Sequence, residues 1–341
     1  MTTTTDSSPK DNPTLAFAEL QPDDVLNALD ELGIRCDGRL LTLNSYENRV
    51  YQVGTEDGRS VVAKFYRPER WSDAAITEEH AFSTELHELD IPVVPPLRMD
   101  GHTLHKHGPF RLSVTECHPG RPPELDDTDL LEQLGRLVAR IHLHGQIEPF
   151  EHRPWLTIEA FGERSADYLL DNRFIPAELE DVYDGLVEHL LDAVDDCFER
   201  AGDVAWIRLH GDFHPGNVLV QNDRLHIVDL DDARMGPAIQ DLWMFLSGDR
   251  EEQTPQLASL LTGYEQFRRF DARELWLIEG LRTLRIMHYA AWIARRWEDP
   301  AFKTAFPWFD TQKYWDEHIL SLREQQALMQ EPPLVWQADG R

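Results

Sequence analysis

His210-Gly-Asp-Phe-His-Pro-Gly-Asn217, followed at a distance by Asp229-Leu-Asp-Asp232, is the stretch on which the fold turns. Between the two lie short apolar runs, 218–220 and 225–228, flanking the turn signal Asn222-Asp223. Two such runs around a polar turn read as an antiparallel β-hairpin. Residues 217 and 229 are equidistant from 223, so the hairpin is expected to bring Asn217 and Asp229 together at its open end. An amide oxygen and a carboxylate at one point make a hard-oxygen site suited to Mg²⁺. Asp212, five residues before Asn217, stands on the loop entering the hairpin, placed to take a proton from a hydroxyl beside that site.

Working outward, residues 1–14 are rich in Thr, Ser, Asp and Pro and read as a disordered leader. A helix is expected from Pro22 to Leu32, stopped by Gly33. Two β runs follow, Arg49–Gly54 and Arg59–Tyr66, around the turn Glu56-Asp57-Gly58. Phe82, Leu86 and Leu89 mark one stripe of a helix over 73–89, and a strand pair covers 103–107 and 110–116. After His118-Pro-Gly-Arg-Pro-Pro the pattern turns helical, from the Leu130, Leu134, Leu137, Ile141 spacing to a last helix over 311–329. The only later strand signals are those around Asn222. The expected plan is α+β with two lobes: a strand-rich N-lobe over 15–117, a mostly helical C-lobe over 118–330, and a tail over 331–341.

Composition narrows the function classes. The 341 residues carry 62 acidic and 33 basic side chains, a formal net charge of −29. Binding to nucleic acid or to an anionic membrane needs a concentrated basic face, so neither partner is expected. Cys36, Cys117 and Cys197 lie far apart without a CxxC pair, which excludes a disulfide framework and suits a reducing cytoplasm. No apolar run reaches the ~18–20 residues of a membrane span. Only five of the basic residues are lysines: Lys10, Lys64, Lys106, Lys303 and Lys313. Lys64 sits in Val61-Val-Ala-Lys-Phe-Tyr66, a strand with hardly another polar residue. A lysine there either snorkels to an edge or serves a function. The stripe Arg282, Arg285, Arg295, Arg296 reads as a solvated helix face, with substrate binding as its alternative. The acid-rich, lysine-poor usage fits either a salty cytoplasm or a basic protein substrate.

The motif H-x-D-x-x-x-x-N with a later Asp resembles the catalytic loop and metal-binding Asp of the protein-kinase-like superfamily. Gly211 in place of Arg is similar to its aminoglycoside and choline kinase branch. The resemblance implies a two-lobed kinase fold, with ATP and Mg²⁺ as cofactors. It makes Asp212 the catalytic base, with Asp229 beside it in the catalytic set, and gives Asn217 and Asp229 to the metal. It places Lys64 on the ATP phosphates, as in the V-A-I-K strand. A carboxylate from the next helix should pair with Lys64. Glu78 and Glu79 both qualify, and Glu79 is preferred for its spacing to Phe82 and Leu86. The loop Leu43-Asn-Ser-Tyr-Glu-Asn-Arg-Val-Tyr51 lacks the G-x-G-x-x-G of protein kinases, leaving Ser45 to meet a phosphate oxygen. Glu116 and His118 bound the linker whose backbone would face adenine. Asp241 is expected to hold the catalytic-loop backbone.

The strings Leu43–Gln52, Lys64-Phe-Tyr-Arg-Pro-Glu-Arg-Trp71, Val228–Arg234 and Gly236–Met244 resemble the bacterial stress response kinase A family over residues ~20–325. That resemblance implies a monomeric cytoplasmic serine/threonine protein kinase, acting on protein hydroxyls in protection from envelope or oxidative stress. Two rival readings share the residues. One is a small-molecule kinase of choline, homoserine or aminoglycoside type. The other is a catalytically silent nucleotide-binding regulator.

Overall fold

A computed structural model describes residues 17–222 and 224–336. The leader expected over 1–14 and the last residues of the tail lie outside the described residues. The described chain opens with helix α1, Pro22–Glu31, started by Pro22 at its first position. Asp24 reaches back to accept the Gln21 N–H at 2.7 Å. Strands β1 (Cys36–Thr42), β2 (Arg49–Thr55) and β3 (Ser60–Phe65) follow. Helix α2 (Asp73–Glu88) then leads to β4 (His105–His107) and β5 (Phe110–Glu116). The five strands form one antiparallel sheet in the order β1-β2-β3-β5-β4. Its core is Val53, Ala63, Phe65, Leu112 and Val114, packed with Val25 and Leu29 of α1.

Strand β1 is not predicted by the sequence pattern. It is an edge strand, mostly exposed, with an irregular register to β2 between Cys36 and Leu40. An edge strand without a buried face shows no apolar alternation, so periodicity misses it.

Helix α2 is capped by Ser72, whose Oγ accepts the Ala75 N–H at 3.1 Å, a cap worth about 1 kcal/mol. Its Phe82 and Leu86 join the large core of the helical part, with Phe82 edge-on to Phe150 at 5.3 Å. The segment after it runs beside the hairpin that carries Asn217, where the Ile227 carbonyl accepts the Val94 N–H at 3.0 Å. Thus α2 and its exit strand tie the sheet to the helical body.

That body contains α3 (Thr128–Gly145), α4 (Arg164–Asp171) and α5 (Glu180–Ala201). Short strands follow: β6 (Ile207–Leu209), β7 (Val218–Gln221), β8 (Arg224–Ile227) and β9 (Arg234–Gly236). Helices α6 (Arg250–Tyr264), α7 (Leu277–Ala294), α8 (Pro300–Ala305) and α9 (Gln312–Leu328) complete it. Helices α3 and α6 touch backbone to backbone: a Cβ on Gly135 would lie 1.9 Å from the Leu260 oxygen, and one on Gly263 equally close to the Glu132 oxygen. The β6–β9 pair also escapes the sequence pattern, being only three fully buried residues on each side. No helix among the described residues is long and apolar enough to cross a membrane.

Candidate active site

The hairpin β7–β8 forms as expected but in a different register. Val218 pairs with Ile227 and Gln221 with Arg224, with Asn222 just past the last pair at φ +49°. Asn217 therefore faces Val228, whose N–H donates to the Asn217 carbonyl at 3.0 Å. Asp229 lies one residue past the open end, in the left-handed region at φ +62°. A tight hairpin closes on a pair of residues, so the symmetry point falls between positions and not on 223.

The loop before the hairpin is pinned from below. Asp241 accepts the N–H groups of His210 at 2.8 Å and Gly211 at 2.9 Å, as the sequence led us to expect. His142 Nε2 stands 3.2 Å from the same carboxylate, and Gln240 Nε2 donates to the Gly211 carbonyl at 3.1 Å. Gly211 has φ +84°, and a Cβ there would meet the Asp232 oxygen at 2.3 Å. Only glycine fits, which explains the second position of the motif in physical terms. Phe213 is fully buried against Phe245 and anchors the loop's apolar side. Asn217 Nδ2 donates to the Asp212 carbonyl at 3.0 Å, which fixes the amide's orientation.

Asp212 itself is engaged at both oxygens. Arg285 Nη1 of α7 lies 2.5 Å from Oδ1, and His214 Nε2 is 3.5 Å from Oδ2. Burial alone would raise its pKa, but His214 and the Arg285 guanidinium outweigh it and hold the carboxyl well below the usual range.

Lys64 does not pair with Glu79. Its Nζ lies 2.6 Å from Asp229 Oδ1 and 3.6 Å from Asp231 Oδ1, across the cleft. Burial works against its charge, yet Asp229 and Asp231 together raise its pKa well above the ordinary lysine value. Glu79 is buried beside His80 (3.8 Å), and its pKa is pushed up to about 7 by that burial. Glu78 faces elsewhere and accepts the N–H groups of Glu151, His152 and Arg153 at 2.6–2.9 Å. With three backbone donors to serve, Glu78 turns to the helical lobe. Lys64 meets the nearer carboxylates.

Ser45 sits half-buried on the β1–β2 turn, with no side-chain hydrogen bond among the described residues. The turn is held by its neighbours. Glu47 Oε2 accepts Trp292 Nε1 at 2.6 Å and pairs with Arg296 Nη2 at 2.7 Å. Asn48 Nδ2 donates to Asp231 Oδ2 at 3.0 Å. Glu116 is exposed at the end of β5, and His118 stacks on His226 with centroids 4.1 Å apart. These two flank the linker, and among the described residues neither shares an ion pair with Lys64 or Asp212.

Several residues of the site carry no signal in the sequence alone. Arg70 bonds Asp231 and reaches Asp232 at 2.9 Å, while Arg234 meets Asp232 at 2.6 Å. Arg153 donates to the Asp231 carbonyl and lies 4.0 Å over Trp71. Desolvation raises the pKa values of Asp231 and Asp232, but the cations around them bring both below the usual range. The available hints are the strings Lys64–Trp71 and Val228–Arg234, which carry Arg70, Trp71 and Arg234 without pointing to their partners.

The donor set suits a hard cation. Among the described residues no donor meets the Asn217 amide oxygen, and Asp229 has about half of its side chain exposed. No three His, Cys, Asp or Glu side chains gather as a metal cage among the described residues. Mg²⁺ is ordinarily bound by one or two carboxylates plus substrate phosphates, a set to which the Asn217 amide oxygen would add one more hard donor.

Comparison with known proteins places the chain in a family and a fold. A family model described as a phosphotransferase enzyme family matches residues 40–276. The stress response kinase A of Salmonella choleraesuis (strain SC-B67) is 44% identical over 93% of this chain and 96% of its own length. That of Escherichia coli (strain K12) is 43% identical over 95% and 98%. A relative from Salmonella typhimurium, named serine/threonine protein kinase RdoA, is 43% identical over 93% and 96%. Among solved structures, the amicoumacin kinase hAmiN superposes with a TM-score of 0.71 at 19% identity, covering 93% of this chain and 96% of that one. The choline kinase LicA of Streptococcus pneumoniae gives 0.60 at 14%, covering 90% and 98%. These structures share the protein-kinase-like fold. The chain belongs to the phosphotransferase enzyme family, beside the stress response kinase A proteins, and is a kinase.

Proposed function

We propose that this kinase transfers the γ-phosphoryl of ATP to Ser or Thr hydroxyls of proteins, with Mg²⁺, in a cytoplasmic stress response. The observation that carries the transfer chemistry is the bond of Lys64 to Asp229 across the cleft, beside the loop that holds Asp212 and Asn217. The protein acceptor and the stress role rest on full-length likeness to relatives of those names.

In this reading Lys64 exchanges Asp229 for phosphate oxygens when nucleotide enters. A compact ammonium serves there as a point charge. Asn217 and Asp229 hold Mg²⁺, which neutralises phosphate charge when bound. Ser45 meets a phosphate at the β1–β2 turn. The linker from Glu116 to His118 offers backbone groups to the base. Asp212 orients the acceptor hydroxyl and takes its proton as the new O–P bond forms and the bond to the β-phosphate oxygen breaks. An aspartate held this acidic contributes mainly by position, in keeping with the loose transition state of phosphoryl transfer.

The test offers labelled ATP and Mg²⁺ with a basic model protein, then with choline, homoserine and aminoglycosides. Label entering the enzyme or the protein is the expected result. Label entering only a small alcohol overturns the protein acceptor.

A further inference from the structure

Arg285 stands apart from the other cations of the cleft. Lys64, Arg70, Arg234 and Arg296 are each less than a fifth exposed and locked into ion pairs. Arg285 is 43% exposed, yet it touches the carboxylate of Asp212. Tyr289, one turn further along α7, is also exposed at the surface, as is Tyr46 on the β1–β2 turn. Arg285 therefore lies at the open mouth of the cleft, on the proposed base.

That position creates a conflict which the acceptor must resolve. An acceptor hydroxyl has to come within hydrogen-bond reach of Asp212, where Arg285 now sits. A partly exposed ion pair is worth about 0–1 kcal/mol, so it opens cheaply. Once displaced, the guanidinium needs a new anion, and its planar fork matches a carboxylate of the incoming acceptor as well as it matches a phosphate.

We propose that Arg285 is a specificity-determining residue that selects acceptor segments with an Asp or Glu beside the Ser/Thr hydroxyl. The acceptor carboxylate draws Arg285 off Asp212 as the hydroxyl takes its place. This preference runs against the chain's net charge of −29, which repels acidic segments at long range. It also runs against the basic substrate that the overall charge suggests. The inference rests on the protein-acceptor reading above.

The experiment measures kcat/KM for three Ser peptides of equal length, flanked by Asp/Glu, by Ala or by Arg, with labelled ATP and Mg²⁺. For the wild-type chain the acidic peptide should exceed the neutral one by about tenfold, the scale of one charge-assisted hydrogen bond. Arg285→Gln should erase that ratio, and Arg285→Glu should invert it in favour of the Arg-flanked peptide. Each ratio is internal to one enzyme, so a general loss of rate cannot imitate it. Equal labelling of all three peptides by the wild type, or an acidic preference that survives in Arg285→Glu, overturns the proposal and leaves the protein acceptor standing. No label in any peptide also overturns it. Label in choline, homoserine or an aminoglycoside under the same conditions then shows that the protein acceptor was at fault.

Discussion

The two sides of the cleft solve the burial of charge in opposite ways. On the side proposed for the nucleotide, Asp231 and Asp232 are enclosed by Lys64, Arg70, Arg153 and Arg234, and Asn48 completes the hydrogen bonding. On the acceptor side, Asp212 meets one half-exposed arginine and one histidine. The enclosed cluster joins the sheet lobe to the helical lobe, since Arg70 follows β3 while its partners follow β8. The open pair joins only a loop to helix α7 in the same lobe. In the proposed function, burial thus builds a rigid floor for the nucleotide, and exposure leaves the acceptor side free to exchange partners.

The largest break in that contrast should come from Arg70→Ala. Removing one partner of a buried ion cluster leaves charges uncompensated, at a cost of about 3–5 kcal/mol. Urea unfolding should show this loss, whereas Arg285→Gln should shift stability by no more than about 1 kcal/mol. Comparable losses in the two variants would erase the distinction.

Next in size is the pH dependence carried by Glu79. Its folded pKa of about 7 lies above the ordinary 4.5, so the folded chain binds the extra proton between those values. Stability from this group is therefore full below pH 4.5 and falls as pH rises toward 7, by about 3 kcal/mol at most. Glu79→Gln, measured without nucleotide, should remove that slope and be more stable than wild type at about pH 8. An unchanged slope would mean that Glu79 is already ionised in the folded chain.

How much of this is legible in the sequence differs between the same two sides. The catalytic-loop motif and the lysine strand are legible because their spacing is local, whereas the pinning role of Asp241, whose partners lie 30 and 31 residues away, is expected only from the resemblance to related kinases. Helix α2 is equally legible from Phe82 and Leu86. The partners of Lys64 are not. Glu79 has the right spacing on α2, but which carboxylate meets the ammonium depends on how the lobes approach each other. Arg70 is opaque for the same reason, its partner lying 161 residues away in the other lobe, and Arg285 because helix α7 packs beside a loop 73 residues earlier in the same lobe. The hairpin register differs by one because apolar runs locate a turn but do not say whether it closes on one residue or two.

The central claim is that Asp212 serves the acceptor and Asp229 the nucleotide. Single-turnover transfer of labelled γ-phosphoryl by Asp212→Asn, read beside its Mg-ATP affinity, tests it most directly. The account predicts a rate lowered about 100- to 10,000-fold with nucleotide affinity retained, in contrast to Asp229→Ala, which should lose Mg-ATP binding. A transfer rate for Asp212→Asn close to that of wild type would contradict it.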